Sequence, residues 1–142
     1  MIKAVKAIIY FKNKYLLQLR DKKKNIYYPN FWGLFGGTVE KKETSNNAIT
    51  REIFEETNLK VIQKKFLLKS KFNFYNSEEI FETTFFECKT IKLLETIKIN
   101  EGQKFNFFSI NQLKSLKIIP YDLLAITYHN HSIVKKKKYI LD

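Results

Sequence analysis

Apolar and polar positions alternate from the start of the chain. Residues 2–11 and 14–20 set β-branched and aromatic residues between charges, with "KNK" as the turn, and so predict two strands in a hairpin. Residues 21–31, "DKKKNIYYPNF", mix charge, Asn and Pro, and read as a loop leading into a short strand around Trp32 to Phe35. From Thr44 the period becomes helical. Thr44 suits an N-cap, no Gly or Pro follows, and Asn58 stands where a left-handed closing residue belongs, which predicts a helix over 45–57. Residues 61–75 and 80–89 alternate Phe, Thr and Ile around "YNSEE", predicting a second antiparallel pair. A strand near 104–108, a helix near 109–117 opened by Ser109, and a last helix after Pro120 complete the pattern.

A chain of 142 residues is one domain's worth, so a single domain over 1–142 is expected. The formal charge is +12, from 26 basic against 14 acidic residues, and its field attracts anions such as phosphates or nucleic acid. Arg20 and Arg51 are the only arginines, so much of the excess is ordinary solvated lysine, including the "KKKK" block at 135–138. Cys88 is the only cysteine, which excludes an intrachain disulfide and suits a reduced compartment. The amino terminus is broken by lysines and lacks both a signal-peptide block and a membrane-spanning run. A cytoplasmic protein with no membrane partner is the expectation.

The helix over 45–57 carries acid in an unfavourable place. At about 100° per residue, Glu52, Glu55 and Glu56 fall within one arc, with Ile49, Ile53 and Phe54 in the adjoining, core-facing arc. The like-charge pairs each cost roughly 0.2–0.5 kcal/mol. Glu55 and Glu56 also face the negative end of the helix dipole, at about 0.3–1 kcal/mol per charge. A hard divalent cation reverses the sign of these terms, since Mg²⁺ and Mn²⁺ prefer carboxylate and carbonyl oxygen. A solvated acidic face pairing with nearby lysine is the competing reading. Three of the four glycines sit just upstream at 33, 36 and 37, where backbone must come close to something else.

Gly37, five residues, Glu43, seven residues, then "REIFEET" from Arg51, Asn58 and Leu59 resembles the Nudix box, G-x5-E-x7-R-E-U-x-E-E-x-G-U with U apolar. Every fixed position matches except the last glycine, which is Asn58. Asn is the best non-Gly residue for a left-handed helix terminus, so the departure leaves the geometry intact. The resemblance implies an α/β fold, a Nudix-like α/β/α sandwich around a mixed β-sheet. It also implies hydrolysis of a nucleoside diphosphate linked to another moiety, with Mg²⁺ or Mn²⁺ as cofactor. Carried over residue by residue, Glu52, Glu55, Glu56 and the Gly36 carbonyl look like metal ligands, and Arg51 looks like the group that orients Glu52.

In phosphoryl transfer the protein mainly positions groups and supplies positive charge, while a free carboxylate takes the proton of the attacking water. Glu52 is one candidate for that base. Glu101, in "NEGQKF", is the other, from its resemblance to a Nudix segment in which a Glu before a Gly reaches the metals. Glu43 reads as structural, pairing with Arg51 or a lysine. Arg20, at the end of the second strand, is a candidate phosphate grip, against a plain surface pair. Tyr27, Tyr28, Phe31 and Trp32 are candidates for stacking a base, against a place in the core. The substrate is then a nucleoside triphosphate, an oxidised nucleotide or a nucleotide sugar. The basic charge keeps RNA 5′-end pyrophosphohydrolysis as an alternative, with a catalytically silent ligand-sensing module as another. Chain length leaves the oligomeric state open, a homodimer included.

Overall fold

The computed structural model describes residues 1–73, 77–90, 97–98 and 102–134. Among these residues, eight strands form two four-stranded sheets. The first holds β5 (Phe35–Thr38), β1 (Ile2–Ile8), β7 (Ile80–Thr90) and β6 (Val61–Asn73), in that order. β1 runs parallel to β7 and antiparallel to β5, so the sheet is mixed. The second is built on β3 (Lys14–Leu19). β8 (Lys104–Phe108) pairs along the whole of Tyr15–Leu19, leaving the opposite edge to be shared by β2 (Tyr10–Phe11) and β4 (Trp32–Gly33).

The first hairpin differs from the sequence expectation. Residues 2–11 break at Ile9, and β1 joins one sheet while only β2 pairs with β3. Both turn residues, Lys12 and Asn13, have positive φ, the mirror-image turn that suits strand twist. The preference of "IKAVKAI" for β7 rests on seven cross-strand pairs, Ile2 to Ile8 against Phe81 to Glu87, which no local pattern reveals. β6 and β7 form the antiparallel pair read from the sequence.

Side chains of β1, β3 and β7 alternate between two cores, as strand geometry dictates. Val5, Ala7, Leu16, Phe86 and Cys88 pack with Ala48, Ile49 and Ile53 of α1 (Ser45–Thr57). Ile8, Tyr15, Leu17 and Phe85 pack with Ala125 and Ile126 of α3 (Pro120–His129). Sheets sandwiched between α1 and α3 are the α/β/α arrangement that the resemblance implied. Phe54 is a correction: it is 55% exposed, and Ala48 rather than Phe54 completes the core stripe of α1. The helix opened by Ser109 is also shorter than 109–117. It spans α2 (Ile110–Leu113), held by a capping box between Ser109 and Gln112, because Leu116 and Ile118 are drawn into the α3-side core. α3 runs on into a π-helical turn, Asn130–Val134. No helix among the described residues is long and apolar enough to cross a membrane.

Beneath the end of α3, the Tyr15 hydroxyl and Nδ1 of His129 lie 2.8 Å apart, and Nε2 of His129 meets Glu87. Burial pushes the Tyr15 phenol well above its usual range, so it stays neutral in this contact. Cys88 is buried and its thiol is pushed up to about 12, which leaves it an inert core residue.

Both ends of α1 are closed locally. Thr44 Oγ1 accepts from the Asn47 amide at 3.1 Å, and Asn58, at φ 63°, donates its amide to the Phe54 carbonyl at 2.9 Å. Asn58→Gly is expected to change unfolding free energy by less than about 1 kcal/mol, because both residues accept a left-handed terminus. Asn58→Val is expected to cost clearly more, since a β-branched side chain resists positive φ. Urea denaturation of the two variants beside wild type checks the ordering.

Candidate active site

Two glycines of β5 permit two close approaches, strand to strand and helix to strand. Gly36 lies opposite Lys6 and Gly37 opposite Val5 in the β1–β5 ladder. A Cβ at position 36 would stand 2.0 Å from the Val5 carbonyl oxygen, which is backbone and cannot yield. At position 37 it would stand 2.5 Å from the Glu52 carboxylate, which occupies the space a side chain would need. Gly36 therefore lets β5 pair closely with β1, and Gly37 lets α1 lay its acidic face on the strand.

Arg51 holds that face together. Its Nε and Nη2 fork onto the two oxygens of Glu43 at 2.7 and 2.9 Å. Nη1 donates to Glu52 at 2.9 Å and to Glu55 at 3.1 Å, and Nη2 also reaches the Thr38 carbonyl at 3.1 Å. Glu40 adds a looser ion pair at 3.7 Å. The bidentate fork is geometry that lysine cannot supply. Hydrogen bonding to Arg51, then to the Glu40 amide, holds the Glu43 carboxyl down at about 2, and Glu43 in turn keeps Arg51 charged. One cation cannot neutralise four carboxylates, so the helix end stays electron-rich.

Glu56 is placed differently. It is 3% exposed, and its Oε2 accepts from Gln18 Nε2 at 3.2 Å. Gln18, itself buried, is the one polar residue within the apolar run "YLLQL" of β3, and that interruption is its signal in the sequence.

Two clefts meet beside these residues. One, of about 400 Å³ and polar, is lined by Gln18, Arg20, Asp21, Lys23, Gly36 and Glu56. The other, of about 150 Å³, is walled by Tyr27, Tyr28, Phe72 and Phe81, with Lys6 and Asp122 at its polar side. Arg20 and Gly36 line both. Arg20 is steadied by donating its Nε to the Tyr27 carbonyl at 2.9 Å. Burial, with Tyr121 and Asp122 close by, pushes the Tyr28 phenol up, so it stays a hydrogen-bonding phenol at neutral pH.

The structure thus brings Arg51, Glu52 and Glu55 into one network, and Gly36, Glu56 and Arg20 onto one cleft. Trp32 lines neither cleft. Its ring packs edge-on against Phe108 at 4.8 Å, with Lys104 over its face, and its backbone bonds to Lys117 and Ile119. Trp32 is bound into the second sheet because β4 pairs with β3 there. Phe31 faces Tyr28 and carries the Lys117 ammonium at 4.3 Å. Glu101 lies outside the described residues, as does "KKKK" at 135–138; the adjacent Gly102 lines the polar cleft. Lys6 and Asp122 were not singled out in the sequence, where Asp122 reads only as a first-turn helix acid.

Comparison with known proteins agrees with this geometry. The NUDIX domain model matches residues 2–125. An uncharacterized Nudix hydrolase of Listeria monocytogenes is 32% identical over 119 residues, spanning 80% of this chain and 68% of that one. The chain belongs to the Nudix hydrolase family. Among solved structures with this fold, the MutT protein of Methanosarcina mazei superposes with a TM-score of 0.79 at 19% identity, covering 93% of this chain and 95% of that one. The Nudix domain of Shewanella oneidensis NrtR, complexed with ADP ribose, superposes with a TM-score of 0.72 at 17% identity, covering 92% and 87%.

Nudix hydrolases generally act on nucleoside diphosphate-linked substrates with divalent cations. The donor set here fits such a cation in kind. Glu52, Glu55 and Glu56 offer hard carboxylate oxygens on one helix face, and the Gly36 carbonyl adds another on the facing strand. Among the described residues, no three such side chains converge closely enough to hold a metal ion. Glu52 and Glu55 turn to Arg51, and Glu56 turns to Gln18.

Gly37→Ala is expected to fold with a stability change under about 1 kcal/mol, because the atom it meets is the movable end of Glu52. Displacing Glu52 by an ångström should nonetheless lower kcat by about 10²-fold; melting curves beside initial rates separate the two effects. The Glu43 carboxyl is lowered from 4.5 to about 2, so its stabilising share is complete above pH 4.5 and is lost as pH falls toward 2. The Tm gap between wild type and Glu43→Gln should accordingly narrow from pH 5 to pH 2, as calorimetry across that range would record.

Proposed function

We propose that this chain hydrolyses the phosphoanhydride of a nucleoside diphosphate derivative, a nucleoside triphosphate, oxidised nucleotide or nucleotide sugar, with Mg²⁺ or Mn²⁺. The observation that carries the reading is the meeting of the two clefts at Arg20 and Gly36. An aromatic-walled compartment suits a nucleoside, and a polar one lined by Arg20, Lys23 and Glu56 suits the phosphates beside it. Glu55, Glu56 and the Gly36 carbonyl would hold the cation, which supplies positive charge to the phosphate oxygens. The ADP ribose seen with the NrtR domain is itself a nucleoside diphosphate joined to a sugar, which is support by analogy.

In this reading Arg20 binds a phosphate oxygen and fixes the substrate across both clefts. Water attacks one phosphorus, the bond from that phosphorus to the bridging oxygen breaks, and a carboxylate takes the proton of the water. Among the described carboxylates, we assign that role to Glu52, as proton acceptor in place of cation ligand. It sits against Gly37 at the rim of the aromatic cleft, and Arg51 fixes one of its oxygens, which leaves the other to accept. Arg51 acts on the reaction by positioning Glu52.

A panel of nucleoside triphosphates, nucleotide sugars and 5′-triphosphorylated RNA, assayed with Mg²⁺ and with EDTA, tests the proposal. Metal-dependent release of nucleotide is expected, and its absence across the panel would overturn the reading. Mg²⁺ is also expected to raise Tm by binding the native carboxylate cluster alone. Glu56→Gln should erase most of that rise, and Glu52→Gln should lower kcat by about 10²–10⁴-fold.

A further inference from the structure

Strand alternation puts Gln18 on the same face of β3 as Leu16, looking toward α1, where the pattern calls for an apolar side chain. Gln18 is 5% exposed, and an amide so placed is unfavourable unless it is hydrogen-bonded. Its Nε2 donates to Glu56 Oε2 at 3.2 Å. A carboxylate only accepts, which sets the amide with its nitrogen toward Glu56 and its oxygen away from it. That oxygen abuts Gly102. A Cβ there, at φ 80°, would stand 2.9 Å from Gln18 Oε1 and 2.9 Å from the Leu19 carbonyl oxygen. The Gln103 amide donates to the same Leu19 carbonyl at 2.9 Å, so the turn before β8 is seated on this end of β3. Gln18, Glu56 and Gly102 together line the polar cleft.

We propose that Gln18 is the positioning residue of Glu56, holding that carboxylate in the orientation in which it takes the divalent cation. The inference rests on the cation reading above and deepens it. The chemistry of the donor carries the argument. Arg51 steadies Glu52 and Glu55 with a full positive charge, which also offsets part of theirs. Gln18 steadies Glu56 with a neutral donor, so it gives the carboxylate a direction and takes none of its charge. A lysine or arginine at this position would set its own charge where the cation belongs, and an aliphatic residue would leave the carboxylate without this guide. The backbone makes the guide rigid. Gln18 pairs with Gly33 of β4 on one side and Phe105 of β8 on the other, so its strand is bonded along both edges at this residue. Gly102 then confines the amide from the side opposite Glu56.

Mn²⁺ binding, followed as loss of the free ion's paramagnetic resonance signal, tests the proposal without turnover. Gln18→Met keeps the length and bulk of the side chain and removes the donor. In a variant with a wild-type circular dichroism spectrum, Mn²⁺ affinity is expected to fall about tenfold or more, the scale on which hydrogen bonds to metal ligands act. Because Gln18 acts through Glu56, the same substitution should change affinity by less than about twofold when Glu56→Gln is already present. Where Gln18→Met fails to fold, Gln18→Leu, which continues the apolar run of β3, carries the same test. A merely structural role would lower the melting temperature in EDTA and leave the affinity of the folded variant unchanged. Wild-type Mn²⁺ affinity in the folded variant would therefore overturn the proposal, as would a full additional loss in the Glu56→Gln background. Either result, with Mn²⁺ still bound by wild type, removes the role of Gln18 alone. Failure of wild type to bind Mn²⁺ removes the cation reading and this inference with it.

Discussion

The guanidinium of Arg51 is the interaction on which the acidic helix depends. Four carboxylates lie within 4 Å of it, and its fork on Glu43 ties the loop before α1 to the helix itself. Its reach to the Thr38 carbonyl ties the same group to the end of β5. Strand, loop and helix are thus locked through one planar cation, in an arrangement that a lysine point charge could not reproduce. What Arg51 leaves unneutralised is the negative charge to which we assign the divalent cation.

Close approach is the second constraint. The helix can bring Glu52 to the sheet only because position 37 has no side chain, and the strand can pair with β1 only because position 36 has none. Stability and function pull in different directions at this junction. A like-charged helix end costs folding energy, and the α1-side core of Val5, Phe35, Ile49 and Ile53 offsets it. The opposite face needs no such compensation and carries the second core together with the buried Tyr15, His129 and Glu87 contact.

The aromatic cleft, proposed to take a nucleoside, draws on parts of the chain that are far apart. Lys6 comes from β1, Arg20 from the end of β3, Phe81 from β7, and Asp122 from the first turn of α3. None belongs to the run of glycines and acids in the Nudix box. The acidic helix end, proposed to hold the cation, is therefore local in sequence, whereas the aromatic cleft is assembled by the sheet topology.

That division also marks what the chain revealed before folding. The α1 boundaries, the Thr44 cap, the left-handed Asn58 and the family box were legible, because caps, helical period and fixed spacing act within a few residues. The β6–β7 pair and β8 were legible from alternation. The exposure of Phe54, the split of the first strand between two sheets and the seating of Trp32 against Phe108 were not. Each depends on which distant surface arrives beside it, and helical phase or strand alternation alone does not say that. The pairing of Gln18 with Glu56, 38 residues apart, and of Lys6 with Asp122, 116 residues apart, belongs to the same class. Local physics determined the elements and the acidic motif; only tertiary packing decided which buried polar groups face one another, because burial and hydrogen-bond partners are properties of neighbours in space.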